Sequence, residues 1–176
     1  MAVLEAISTT YLEADASSVT FGSIPSTYEH LQLRVSAQSN RAYQVDALGV
    51  NFNGDTGSNY WVQYMRGTGT SKSGWASAAV TEGSFYVALS GKYEVGRYGF
   101  LVADIFDYAN ANKNTTMTGV EGHFGKTSAG VDSPGVGLTS ILWDNVAAVT
   151  SIALAPRNGT NFVRGSEFTL YGLNSA

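Results

Sequence analysis

Acid–base chemistry in this 176-residue chain has few carriers: two histidines, His30 and His123, and the carboxylates Asp104 and Asp107 three residues apart. His30 opens an alternating run and shares the phase of its polar residues, so it reads as a solvated or interface histidine. His123 stands in Gly122-His123-Phe124-Gly125. As a loop histidine it would need partners to act as a base, and the spacing supplies none. Asp104 and Asp107 invite a paired-carboxylate reading for glycoside hydrolysis. A spacing of three along a strand sends the two to opposite faces. Asp107 is then expected to bond nearby backbone at the strand end.

Other chemistries fail on spacing. Asn51, Asn53 and Asp55 alternate oxygens as a calcium loop does, but the positions that want glycine and glutamate hold Thr56 and Val62. A hairpin turn explains these residues without an ion. Gly125-Lys126-Thr127 resembles the end of a phosphate loop, yet the required upstream glycine is Val120 and no helical pattern follows. No Gly-x-Ser-x-Gly elbow occurs. The expectation is a chain with no catalytic, cofactor-binding or metal-ligating residue, and not an enzyme. The remaining candidates are aromatic: Tyr60, Trp61, Tyr64 and Trp75 as interface or glycan contacts. Aromatics on a sandwich more often serve core or subunit contact than sugar.

The elements that would position these residues are strands. Leu31, Leu33, Val35 and Ala37 share one face of His30–Gln38, and Gln32, Arg34, Ser36 and Gln38 the other. A period of two with one apolar face marks a half-buried antiparallel strand. Leu48, Val50 and Phe52 repeat it. Asn53-Gly54-Asp55 predicts a tight turn, with Tyr60–Arg66 as the hairpin partner. Residues 67–79 read as a loop around Trp75, and Phe85, Val87 and Leu89 as a further run. Tyr98–Phe106 is apolar on both faces, which predicts a central strand covered on both sides. Asp107–Asn114 reads as a polar connection with room for one helical turn. Thr116–Val120 reads as a short strand, Gly122–Gly135 as a glycine-rich loop. Val136–Trp143, Val149–Leu154 and Phe168–Leu173 complete the series. Strands at this spacing predict one all-β domain over residues 1–176, a two-sheet antiparallel sandwich of jelly-roll type. Residues 1–12 form an extended arm or edge strand.

Composition narrows the function classes. Net charge is −4 with no Lys/Arg cluster, which disfavours nucleic acid. There is no cysteine, so no disulfide framework. No stretch approaches the length of a membrane span, and residues 1–12 show no leader pattern. Charged residues are only 14% of the chain, against a usual quarter or so. With 20 Gly and 10 Tyr, the polar surface suits cover by neighbours, because tyrosine gives contact area at small entropy cost.

Four segments carry a resemblance. They are Ser18-Val19-Thr20-Phe21-Gly22-Ser23-Ile24-Pro25 continuing to Arg34; Phe52-Asn53-Gly54-Asp55-Thr56-Gly57-Ser58-Asn59-Tyr60; Asp104-Ile105-Phe106-Asp107-Tyr108-Ala109-Asn110; and Phe168-Thr169-Leu170-Tyr171-Gly172-Leu173. In this order the chain resembles small virion structural proteins of tailed bacteriophages. Residues 67–97 depart most from the pattern. These are turn and strand signatures, so they name no reaction. The resemblance implies a capsid decoration (cement) protein on the particle exterior, assembled in the host cytoplasm. It would be a homo-oligomer bridging subunits of the major capsid protein, with the Met1–Thr10 arm across a neighbour. A tail- or fibre-associated protein, or a carbohydrate-binding module for host adhesion, is the alternative.

Overall fold

The computed structural model describes residues 3–69, 71–93 and 95–174, with Val3 described in its backbone only. Residues 1–2 of the expected arm lie outside the described residues. Twelve strands run through the described chain: β1 (Val3–Tyr11), β2 (Val19–Phe21), β3 (His30–Ala37), β4 (Val45–Phe52), β5 (Tyr60–Thr68), β6 (Ser71–Val80), β7 (Gly83–Ser90), β8 (Gly99–Phe106), β9 (Thr115–Lys126), β10 (Asp132–Trp143), β11 (Ile152–Pro156) and β12 (Glu167–Asn174). They form two antiparallel sheets, one of eight strands in the order β1-β12-β3-β8-β9-β10-β5-β6 and one of four in the order β2-β11-β4-β7. The protein is an all-β sandwich, as its alternation predicts. Its eight-plus-four division differs from a simple pair of four-stranded sheets. β8, β9 and β10 form an antiparallel meander in the middle of the large sheet, and β1 and β6 close its two edges.

Between the sheets lies one apolar core. β3 presents Leu31, Leu33, Val35 and Ala37 to it, on the alternation read from sequence. β4 contributes Leu48, Val50 and Phe52, and β10 contributes Ile141 and Trp143. The N-terminal segment is an edge strand, with β1 paired along β12 from Val3↔Asn174 to Tyr11↔Glu167.

Several sequence expectations are corrected. The turn at Asn53-Gly54 is present, with both residues at positive φ. It does not open a hairpin: β4 pairs with β11 and β7, whereas β5 belongs to the other sheet. The seven residues between them cross from one layer to the other. Residues 71–80 are strand β6, paired with β5 through Tyr64↔Trp75. This strand gives no alternation signal because, as an edge, it is exposed nearly throughout.

The glycine-rich stretch 122–135 is mostly strand as well. β9 runs to Lys126 and β10 starts at Asp132. Gly130 turns the chain between the two strands at positive φ, while glycines within the strands serve close approach. A Cβ on Gly125 would stand 1.9 Å from the carbonyl oxygen of Gln44, and one on Gly135 would stand 2.7 Å from His123 Nε2. Gly125→Ala must therefore move backbone, and is expected to lower stability by about 3 kcal/mol. Equilibrium urea unfolding checks this, and an unchanged midpoint would contradict the packing described.

Candidate functional site

Pairing registers align the outward side chains of the large sheet into rows across β8, β9, β10 and β5. One row reads Val102, Val120, Leu138, Met65. The row on one side of it reads Phe100, Gly122, Val136, Gly67, and two rows to the other side stand Phe106, Thr116, Leu142, Trp61. Between the apolar bands runs a polar row of Asp104, Thr118, Ser140 and Gln63. β8 is therefore not covered on both sides. Phe100 and Val102 remain 39% and 42% exposed, and Met65 is 59% exposed. Local sequence shows that both faces of this strand are apolar. It does not show that the chain has only one layer to lay over them. Met65, Val120, Val136 and Leu138 line a shallow groove of about 640 Å³, bordered by Arg66 and Lys72.

The four aromatic candidates separate. Tyr60 is fully buried, so it is a core residue rather than a surface contact. Its hydroxyl accepts from the Phe52 amide at 2.9 Å. Tyr64 and Trp75 are cross-strand neighbours on the opposite face from Trp61, where Tyr64 stacks on Tyr86 at 4.4 Å and Trp75 meets both edge-on. Arg157 lies over Tyr86 and donates to its hydroxyl. This cluster fills the opening between edge strands β6 and β7. Trp61 alone of the four faces outward on the sheet, beside Leu142 in the groove that also holds Gln63 and Ser140.

Of the acid–base candidates, His30 and Asp107 come together, with His30 Nδ1 3.6 Å from Asp107 Oδ1, and His123 stands apart. His30 is half-buried, accepts from the Asp107 amide at 3.0 Å and packs edge-on to Phe106. Asp104 accepts from Gln32 Nε2 at 2.9 Å, while Asp107, at positive φ just past β8, pairs with Lys113 beside His30. Its carboxyl is held below the ordinary range, chiefly by the Lys113 hydrogen bond. Lys113, rather than nearby backbone, is thus its main partner, because the connection after β8 folds back over the strand end. Asn51, Asn53 and Asp55 have their polar atoms engaged inside the protein. Asn51 donates to the Asp55 carbonyl, and Asn53 Oδ1 accepts from the Thr150 and Ser151 amides. Asp55 accepts from Gly57 N, Asn59 Nδ2 and Trp143 Nε1 at 2.8, 2.9 and 2.8 Å.

His123 is buried in β9, not carried on a loop. Its Nδ1 accepts from the Gly125 amide, and burial pushes its pKa down to about 4, with Arg66 adding to the effect. Two residues earlier on the same face stands Glu121, which sequence reading passed over. Fully buried, it accepts from Val87 N of the opposite sheet at 2.9 Å and from the Thr139 hydroxyl. Burial raises its pKa to about 7 against these hydrogen bonds. Space for Glu121 comes from Gly137, where a Cβ would lie 3.1 Å from its Oε1. Asp46, also fully buried, accepts from Ala47 N, Asn158 N and Gly159 N and so holds the 157–160 turn. The isolated acidic residues in glycine-rich or apolar stretches were the available signal for both.

Buried groups such as these stiffen the sandwich. Among the described residues, the outer face of the large sheet gathers the exposed Trp61, Met65, Val102, Val120, Val136 and Leu138. No family model, curated protein or solved structure matches the chain.

Proposed function

We propose that this protein is a non-enzymatic assembly protein of a phage particle, a capsid decoration protein bound to the outer shell. The carrying observation is the apolar band of Val102, Val120, Leu138 and Met65 on a sheet face that the chain itself leaves exposed. Contiguous apolar surface of this kind marks a protein–protein contact site. Placement on a virion rests on the sequence resemblance, and the capsid exterior and major capsid protein come with it.

The mechanism is mechanical. Subunits that bury apolar area against neighbours add many weak contacts across capsomer boundaries, and multivalent attachment lengthens residence without any single tight contact. Low surface charge helps, since few ionic groups need desolvation on docking. The test is copy number on purified particles, from a cryo-EM map or a quantified gel. Decoration requires on the order of hundreds of copies on the head. A handful at the tail would replace it with the tail- or fibre-associated reading, and none would end the virion reading.

A further inference from the structure

We infer that the outer face of the large sheet is covered by a second copy of this chain, packed face to face about a two-fold axis that runs parallel to the strands between β9 and β10. The inference rests on the reading of this face as an assembly surface and names its partner.

The argument is self-complementarity. A two-fold axis lying in the interface and parallel to the strands sets each row against itself with strand order reversed. β9 then opposes β10, and β8 opposes β5 of the other copy. In the apolar row this sets Val120 against Leu138 and Val102 against Met65. In the polar row it sets Asp104 against Gln63, so a carboxylate that already holds one amide donor meets a second. Phe106 meets Trp61, two exposed aromatic rings. In the remaining row the bulk of Phe100 meets Gly67. Apolar side chains thus face apolar ones, the bulk of Phe100 faces a glycine, and no like charges are opposed in these pairs. Rotation about an axis running across the strands along the polar row would instead set Asp104 on its own copy.

The area is also right. Six strands from β3 to β6 at ~4.8 Å spacing, each ~27 Å long over eight residues, give about 800 Å² per partner. A standard stable interface buries about that much on each side. Two sheets packed in this way form a further sandwich layer of about 10 Å, the ordinary spacing of face-to-face sheets. The two-sided apolar pattern of β8 is then accounted for, with one face covered by the small sheet and the other by the second copy.

The test uses the full chain in solution. Sedimentation velocity at micromolar concentration is expected to show a dimer of the 18.6 kDa chain. Val120→Arg places a charge at the centre of the contact and is expected to weaken dimerisation about 100-fold. Val120 is exposed in the monomer, so circular dichroism should stay at the wild-type spectrum, while the concentration dependence that dimerisation gives the wild-type unfolding midpoint should be lost. A second variant makes the geometry specific. Val102→Cys with Met65→Cys gives the only two thiols in a chain that has no cysteine. Within one chain they stand three strand spacings apart, ~14 Å, whereas across the interface they face each other at about 10 Å, so a short bis-maleimide with a reach of about 10 Å joins thiols of two copies and not of one. Its addition is expected to yield a covalent dimer, lost when Val120→Arg is added. A monomeric wild type overturns the inference, as does a dimer that neither crosslinks here nor responds to Val120→Arg. A monomer in solution that still decorates particles in hundreds of copies would overturn this inference alone. A dimer absent from particles would instead overturn the virion reading alone.

Discussion

Trp143→Ala is expected to lower the unfolding free energy by about 4 kcal/mol, the cost of removing a large aromatic from a close-packed core. Trp143 ends β10, is fully buried, and packs on Phe52 with ring centroids 5.6 Å apart. Its indole donates to Asp55 Oδ2, and the next residue, Asp144, donates its amide to the Asn59 carbonyl at 2.7 Å. These contacts hold the crossover from β4 to β5, the segment whose oxygens imitate a calcium loop. Trp143→Phe separates the two contributions. It keeps most of the ring volume but strips Asp55 of a donor, for an expected loss of about 1–2 kcal/mol.

The same variant changes a titration. Hydrogen bonds from Asn59, then Trp143, hold the Asp55 carboxyl down at about 2, against an ordinary 3.8. Stability from this depressed value is fully present above 3.8 and is lost as pH falls through 2. Trp143→Phe should move the Asp55 pKa upward, read by NMR titration of the carboxyl carbon. An unmoved pKa would show that the indole does not hold Asp55.

Glu121→Gln is expected to stabilise the protein at pH 8 by about 3 kcal/mol relative to wild type. The folded Glu121 carboxyl titrates at about 7 rather than 4.5. Its contribution is therefore fully present below 4.5 and is lost as pH rises through 7. His123 runs the other way. Its folded pKa is about 4 rather than 6.5, so its contribution is present above 6.5 and is lost as pH falls through 4. From pH 4.5 to 6.5 the folded protein holds about one proton more at Glu121 and one fewer at His123, so the two slopes cancel there. Each single variant exposes the other slope. Glu121→Gln should lose stability as pH falls from 6.5 to 4, and His123→Gln should lose it as pH rises from 4.5 to 7. Glutamine at 121 retains an acceptor for Val87 N and presents an amide to Thr139. Chemical denaturation of all three proteins across this range is the measurement. Parallel curves would falsify the assignment.

Much of the sandwich is local and was legible in the chain. Leu31, Leu33, Val35 and Ala37 face inward on β3 as their alternation requires, because successive side chains of a strand point to opposite faces whatever the strand pairs with. The Asn53-Gly54 turn was legible for the same kind of reason, since its positive φ values belong to those residue types. His30 lies in the polar phase of its strand, but Asp107 stands past the end of β8 at positive φ, where alternation no longer applies, and its carboxylate stays 3.6 Å from His30 Nδ1.

What alternation cannot carry is which strand lies beside which, and what lies above it. Both are decided by contacts between residues far apart in the chain. Only the assembled layers sent β5 to the opposite sheet from β4, and turned the glycines at 125, 135 and 137 into contacts with the Gln44 backbone, His123 and Glu121. An edge strand such as β6, exposed nearly throughout, leaves no periodic trace. The candidate surface shows the division most plainly. Sequence determined that β8 is apolar on both faces; the tertiary structure decided that the chain covers only one. A strand's composition responds to everything that buries it, whereas one folded chain supplies only its own layers.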